Sequence, residues 1–316
     1  MRGLRSRIGI MDNSVLTWAG ECSAWECDEL GHMNMRHYIY KFAQARARFA
    51  YHLDLPEAVR RGATSQIRPV DCHIRYLAEA RPGAPLLIRS GILELTETGA
   101  DLLHVMYHAD GRPAASLRET TAHISQRTLK PFAWPKRAVA AAKAYKTALP
   151  DFAKARGVDL DIAPVRPDAA QTKAWGQTFL GSGVFTPDEA DSFGRIAPPA
   201  LFGRVTSTVG HFTAAWPENH MPENYGKISG ALFEARLAFG PDCAPGDGYD
   251  FYSGIKSVTA NIRTLVHTMV NARTGAHILS MQGVAGLMDL QARKHTKTAP
   301  EEIEALGQLA NVDLAI

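Results

Sequence analysis

"ECSAWECDELGHMNMRHYIYKFAQARARFAYHL", residues 21–53, changes character halfway along. Upstream, "SVLTWAGECSAWE" at 14–26 reads as a strand. From His37 onward the apolar residues Tyr38, Phe42, Ala45, Phe49 and Leu53 recur at steps of three and four. That spacing puts one apolar stripe along about four turns of helix, which Leu55-Pro56 then ends. Between strand and helix lies a polar knot of Asp28, Glu29, His32 and Asn34, with Gly31 able to turn the backbone.

Four more strand-like runs follow, at 65–77, 85–98, 101–109 and 114–126, punctuated by the turn clusters "RPGAP", "ETGAD" and "ADGRP". Segment 131–178 differs. "WPKRAVAAAKAYKTALPDFAKARG" is rich in Ala and Lys and reads as helix, and "DLDIAPVRPDAAQ" reads as a surface linker. The first order of elements then returns. "DELG" at 28–31 answers "DSFG" at 191–194, and "PGAPLLIRSGI" at 82–92 answers "PGDGYDFYSGI" at 245–255, both by a shift of 163 (191 − 28, 245 − 82). By the same shift His104 lands on His267 and His108 on Asn271. Matches sharing one offset identify a tandem duplication. The expected division is a first domain at 12–130, a helical linker at 131–178 and a second domain at 179–316.

A long helix followed by an antiparallel sheet buries its stripe most cheaply when the strands curl around it. Two such units leave flanks and sheet edges that can cover each other, so the expected fold is α+β, an intrachain pseudo-dimer with a cleft between the halves.

The 316 residues suit two domains, and 46% hydrophobic content supplies a core for each. With 35 basic against 32 acidic residues, a net charge of +3 argues against a nucleic-acid or anionic-membrane surface. Small molecules, or further copies of the chain as a homo-oligomer, are the expected partners. Cys22, Cys27, Cys72 and Cys243 form no CxxC pair and are too sparse for a disulfide framework, which suits a reducing compartment. No stretch resembles a signal-peptide core or approaches 18 uninterrupted apolar residues, and nothing before Met11 is periodic, so Met11 is an alternative start. The expectation is a soluble cytoplasmic protein.

Asp28, at the end of a strand, is either a turn and capping residue or a nucleophile or general base. A helix beginning near Met35 offers unpaired N–H groups able to polarise a carbonyl. Asn34 suits the helix N-cap and can also align a carboxylate. His32 is a loop histidine or a catalytic helper. Trp25 and Tyr38 are core residues or contacts for an aryl or cationic acyl group such as a trimethylammonium. His104 and His108, four apart on a strand, lie about 13 Å from each other, too far to share a metal. Arg46 and Arg48 are placed toward the exposed side of the helix, as solvated residues or as contacts for coenzyme A phosphates. Thr298 and Glu301 in "TAPEEIEAL" read as a capping box.

"WECDELGHMNMRHYIYKFAQAR" resembles the signature of the hotdog-fold thioesterases, in which D-x-D-x-x-G-(H/x)-x-N leads into a Tyr-bearing helix start. It is similar to the 4-hydroxybenzoyl-CoA thioesterase type and to the acyl-CoA and acyl-ACP thioesterases, and the likeness in element order covers both halves. The resemblance implies a double hotdog, with Asp28 as the catalytic carboxylate and the backbone at the helix N-terminus holding the thioester oxygen. His32 and Asn34 match the H-x-N of the acyl-ACP variant, and Glu26 stands where the first Asp of the usual pair would be. Gly31, Met35, Tyr38 and Trp25 are the implied substrate contacts. In the second copy Asp191 and Gly194 persist, but Arg195, Ala197 and Leu201 replace His32, Asn34 and Tyr38. The implied reaction is hydrolysis of an acyl-CoA to acid and thiol, needing neither metal nor organic cofactor, with coenzyme A or a carrier protein as donor. The alternatives are an enoyl-CoA hydratase or dehydratase of the same fold, whose His-Asp or His-Glu pair is not found here, and a non-catalytic acyl-CoA binder.

Overall fold

The stripe at Tyr38, Phe42, Ala45, Phe49 and Leu53 is fully buried, and it belongs to α1, Met35–His52, and its C-cap residue Leu53. The computed structural model describes residues 11–208, 211, 227–241 and 243–316. Its chain separates into two units, one ending at Lys154 and the other spanning Ala155–Ile316.

In the first unit, β1 (Val15–Glu21), β2 (Ser65–Tyr76), β3 (Pro85–Leu95), β4 (Gly99–His108) and β5 (Pro113–Ser125) form an antiparallel sheet in the order β1-β3-β4-β5-β2. α1 lies against β1, β3 and β4. The expected strand at 14–26 is shorter than its alternation suggested. After Cys22 the chain turns into a 3-10 segment, Ala24–Glu26, because Ser23 and Glu26 close a capping box.

The Ala- and Lys-rich stretch is a second correction. It holds only α2 (Lys136–Ala142), with short 3-10 turns at Lys143–Tyr145 and Asp151–Ala153. Trp134, Ala138 and Ala142 pack with Phe49, Leu53 and Leu102 in the first unit's core. Pro150 and the lack of a side-chain cap leave little to extend the helix.

The second unit repeats the first at the same offset. β6 (Thr178–Val184), α4 (Pro198–Ser207), β7 (Ile228–Phe239) and β8 (Gly248–Val258) begin 163 residues after β1, α1, β2 and β3 (178 − 15, 198 − 35, 228 − 65, 248 − 85). With β9 (Arg263–Asn271) and β10 (His277–Asp289) the strand order is β7-β10-β9-β8-β6, and the short β11 (Lys294–Thr296) pairs with β10. α3 (Ala169–Ala174) precedes this sheet. The expectation of a long second helix reaches past Ser207 into residues that lie mostly outside those described. At the C-terminus, the helix Pro300–Gln308 starts from Ala299 without a side-chain cap, so the expected Thr298–Glu301 box does not form. Pro300 at the first helical position shifts the cap to Ala299, one residue past Thr298. Among the described residues no helix is long and apolar enough to cross a membrane.

Candidate active site

The polar knot lies between the 3-10 turn and α1, and short backbone bonds set its shape. Asp28 N–H donates to the His32 carbonyl at 3.1 Å, Gly31 N–H donates to the Asp28 carbonyl at 3.0 Å, and Cys27 bridges to Met33. Gly31 takes φ 77°, a left-handed conformation that a side chain would strain. Asn34 N–H donates to the Glu26 carbonyl at 2.8 Å, fixing the helix start against the 3-10 turn.

Within this loop the Asp28 carboxylate is held at both oxygens. Oδ1 accepts from Leu30 N–H at 3.1 Å, and Oδ2 accepts from Asn34 Nδ2 at 3.3 Å. His32 Nδ1 lies 3.7 Å from Oδ1, and the Asp28 side chain keeps 16% of its surface exposed. Asn34 does two jobs, since its Oδ1 also caps α1 by accepting from Arg36 N–H at 3.1 Å. His37 N–H donates to the Asn34 carbonyl, so Met35 N–H is the amide of this helix end that neither Asn34 oxygen takes. A partly exposed carboxylate beside a helix N-terminus is an arrangement able to bring a base and an oxyanion donor to one carbonyl.

The loop is tied down from below by residues that the signature had left without a role. Glu26 is buried, receives Ser23 N–H at 2.8 Å on Oε2, and pairs through Oε1 with Lys41 Nζ at 2.7 Å. Lys41 is itself buried, donates to the Glu21 carbonyl and lies 4.7 Å over the Trp18 ring. Breaking one side of such a buried pair strands a charge, at a cost of about 3 kcal/mol or more. The S-x-x-E spacing at 23–26 was the available signal for the turn, whereas Lys41 could not be paired from sequence alone. His37 Nδ1 sits 3.9 Å from the same Glu26 oxygen. Burial lowers its pKa, a pull that Glu26 opposes and Arg36 and Lys41 reinforce.

The other expected contacts separate into two environments. Trp25 is 82% exposed on the 3-10 turn. Tyr38 is buried, its hydroxyl accepts from Ala80 N–H at 3.2 Å, and its ring meets Tyr76 edge-on at 5.2 Å. Arg46 departs from the sequence reading. It is not a solvated residue but reaches inward, with Nη1 2.5 Å from Oε1 of the buried Glu119. Glu119 Oε2 also lies 3.3 Å from Nε2 of the fully buried His104, whose Nδ1 shares a 2.6 Å hydrogen bond with Ser90 Oγ. Arg48 stays exposed, stacked 5.2 Å from the Tyr51 ring.

The second copy serves as an internal control. Asp191 forms the same loop, with Gly194 at φ 75° and Asp191 N–H donating to the Arg195 carbonyl. Glu189 again closes a capping box, with Thr186, and pairs with Arg204, the counterpart of Lys41. Here, however, Asp191 Oδ1 accepts two backbone amides, from Phe193 at 2.8 Å and Arg195 at 3.1 Å, and α4 has no side-chain cap at Ala197. What both copies keep is the scaffold. Around its carboxylate the first copy places the Asn34 amide and the His32 ring.

Residues 22–143 match the family model described as the thioesterase-like superfamily. By this match the segment is similar to thioesterase-like domains. It contains the whole polar loop, α1 and β2 to β5. A curated relative from Agrobacterium fabrum, named L-carnitine dehydrogenase/betainyl-CoA thioesterase, is 28% identical over 108 residues, which cover 34% of this chain. The match spans 22% of that protein, about a fifth of its length. Beyond the matched segment, the likeness extends to the fold of most of the chain. The crystal structure of a protein from Lactobacillus plantarum, provisionally assigned as an oleoyl thioesterase, superposes with TM-score 0.63 at 14% identity, covering 87% of this chain and 97% of that one. The 12:0-ACP thioesterase from Umbellularia californica gives TM-score 0.64 at 9% identity, covering 86% and 94%. At these identities the similarity is one of fold.

Proposed function

We propose that the chain is a double hotdog acyl-CoA thioesterase, an intrachain pseudo-dimer of two helix-wrapping sheets in which only the first unit carries chemistry. The observation that supports this most is the Asp28 carboxylate, held by Leu30 N–H and Asn34 Nδ2 beside His32 at the start of α1, within the segment that matches the superfamily. Asp28 either attacks the thioester carbon or takes a proton from the attacking water. The carbonyl oxygen, gaining negative charge, is stabilised by the helix-start amide of Met35. Collapse expels the thiolate, which takes up a proton; in the nucleophilic route water then hydrolyses the acyl–Asp28 anhydride, so by either route water and acyl-CoA become acid and free coenzyme A. Gly31 keeps the loop backbone close to the substrate, and Trp25 and Tyr38 flank the acyl group. The name of the Agrobacterium relative makes a quaternary-ammonium acyl group, as in betainyl-CoA, the first substrate to try beside straight-chain and aryl acyl-CoAs.

A thiol-release assay on that panel tests the reading. Asp28→Asn is expected to lower kcat/KM by about 10³-fold or more, as loss of a general base or nucleophile does, and Asp191→Asn to retain most of the activity. The opposite pattern overturns the assignment. Binding without thiol release from any acyl-CoA identifies a non-catalytic binder. Loss of enoyl absorbance without free thiol identifies a hydratase. Single turnover in labelled water identifies the nucleophilic role if the label enters Asp28, because only an acyl–Asp28 anhydride opened at the Asp28 carbonyl places it there.

A further inference from the structure

Two cysteines bracket the 3-10 turn that carries the catalytic loop. Cys22 follows β1 and is wholly buried, while Cys27 is half-buried and directly precedes Asp28. Their sulfurs lie 3.5 Å apart as free thiols, clustered on the Ser23 and Ala80 carbonyls. The turn itself brings them together, because the Ser23–Glu26 box folds the four intervening residues into one compact bend. We propose that Cys22 and Cys27 are a redox-active dithiol that closes to a disulfide and, by doing so, displaces Asp28.

A disulfide needs about 2 Å between sulfurs, so closure asks for a movement of roughly 1.5 Å. Cys22 is wholly buried and bonded at both backbone groups, to the Ala84 carbonyl and Gly83 N–H, so the larger share of the movement falls on the half-buried Cys27. Cys27 is covalently continuous with Asp28 and bridged to Met33, which leaves the carboxylate little room to stay in place. Small apolar packing is the plain alternative for buried cysteines. The second copy shows that packing alone has another solution, since Phe185 and Ala190 fill the same two positions beneath the Asp191 loop. The thiol pair thus accompanies the copy with the polar loop.

The oxidant required is a small external disulfide such as oxidised glutathione. The Cys27 thiolate attacks one of its sulfurs, and the first glutathione thiolate leaves and takes a proton. Cys22, after losing its proton, attacks Cys27 Sγ in the mixed disulfide, forms the Cys22–Cys27 bond and expels the second glutathione. Two protein thiols are oxidised and one external disulfide is reduced to two thiols. Burial, followed by the neighbouring Cys27, pushes the Cys22 thiol up to about 12, so the second step is the slow one and quickens as pH rises.

The effect on turnover rests on the thioesterase reading; formation of the bond does not. The full chain is incubated with oxidised glutathione, alkylated and digested with trypsin, and the peptide 8–36, which contains both cysteines, is weighed. The expected product is that peptide about 2 Da lighter and closed to alkylation, with reversal by dithiothreitol. Trp25 emission changes in step, and thiol release from the best acyl-CoA falls between about tenfold and a hundredfold, the scale of a 1 Å misplacement. Cys27→Ala, which copies the second unit, keeps its activity and ignores the oxidant; Cys27→Ser provides a second variant with a polar replacement. A peptide that stays alkylatable, or that stops at glutathione on Cys27 alone, overturns the dithiol. Closure with unchanged Trp25 emission and unchanged hydrolysis overturns the displacement of Asp28. If the reduced protein hydrolyses no thioester, the function reading fails while the peptide mass and Trp25 emission still decide this one.

Discussion

Replacing Asn34 separates the two jobs its side chain performs. Oδ1 caps α1 through Arg36 N–H at 3.1 Å, and Nδ2 steadies Asp28 Oδ2 at 3.3 Å. Asn34→Ser keeps a good N-cap acceptor but loses the amide donor, so stability should stay within a few tenths of a kcal/mol of about zero change. Asn34→Ala loses both, and the cap alone contributes about 1 kcal/mol. For a domain of this size that lowers Tm by about 3 °C. In both variants the carboxylate loses one of its side-chain partners, and kcat/KM should fall by about tenfold to a hundredfold. Asn34→Asp keeps the cap yet sets a second carboxylate about 3.3 Å from Asp28, a repulsion between about 1 kcal/mol in bulk water and about 5 kcal/mol at an effective dielectric of 20. The acid limb of its pH–rate profile should therefore move up by about one unit or more. Thermal melts and thiol-release kinetics on the three variants provide the comparison. Asn34→Ser matching the parent in kcat/KM would show that Nδ2 has no part in the chemistry; equal melting of the Ala and Ser variants would remove the cap from the argument.

Two further outcomes concern buried charge. Glu119→Gln copies Gln282 of the second unit and strands the Arg46 guanidinium, which should destabilise the first unit by about 3 kcal/mol in chemical denaturation. Burial pushes the Glu119 carboxyl up, but Arg46 and then His104 outweigh it and hold it below the ordinary 4.5. Its contribution is thus complete above pH 4.5 and is lost as pH falls through the lowered native value, so the variant should lose less of its remaining stability on acidification. In the second unit, burial lowers His267 to about 4, and burial reinforced by Arg166 lowers His277 to about 4. Between pH 6.5 and about 4 the unfolded chain binds protons that the folded unit refuses, so stability present at pH 7 drains across that window, by about 3 kcal/mol per histidine at its lower end. His267→Leu should flatten this acid limb in urea titrations at pH 7, 5.5 and 4, and an unchanged limb would count against burial as its cause.

Much of this architecture was legible because the duplication repeats in sequence what it repeats in space. One offset, found from two short matches, recovers the starts of β6, α4, β7 and β8 to the residue. The buried stripe of α1 and the Asn34 cap were also readable, since both depend on neighbours within a few positions. What escaped depends on distant partners. Arg46 meets Glu119 across 73 positions, so periodicity along the helix could only place it beside the stripe and not say that an acid waits beneath it. The helical look of the Ala- and Lys-rich stretch failed for the opposite reason. Good propensity over a few residues does not outweigh the packing of Trp134, Ala138 and Ala142 against the first core. The roles proposed for Asp28 and His32 came from the motif. The bonds around Asp28 show why a turn reading and a catalytic reading coexist, for Leu30 N–H alone would satisfy the first.

The preserved loop around Asp191 offers protein engineers a vacant chassis. Its left-handed glycine, its capping box and its half-buried acid–base strut are already in place, so a graft would begin with the counterparts of His32 and Asn34, Arg195→His and Ala197→Asn. Asparagine at 197 would stand directly before the proline pair that opens α4, a backbone already set for capping. The tandem chain thus contains its own rehearsal space, where a rebuilt loop could be tuned while the original is left untouched.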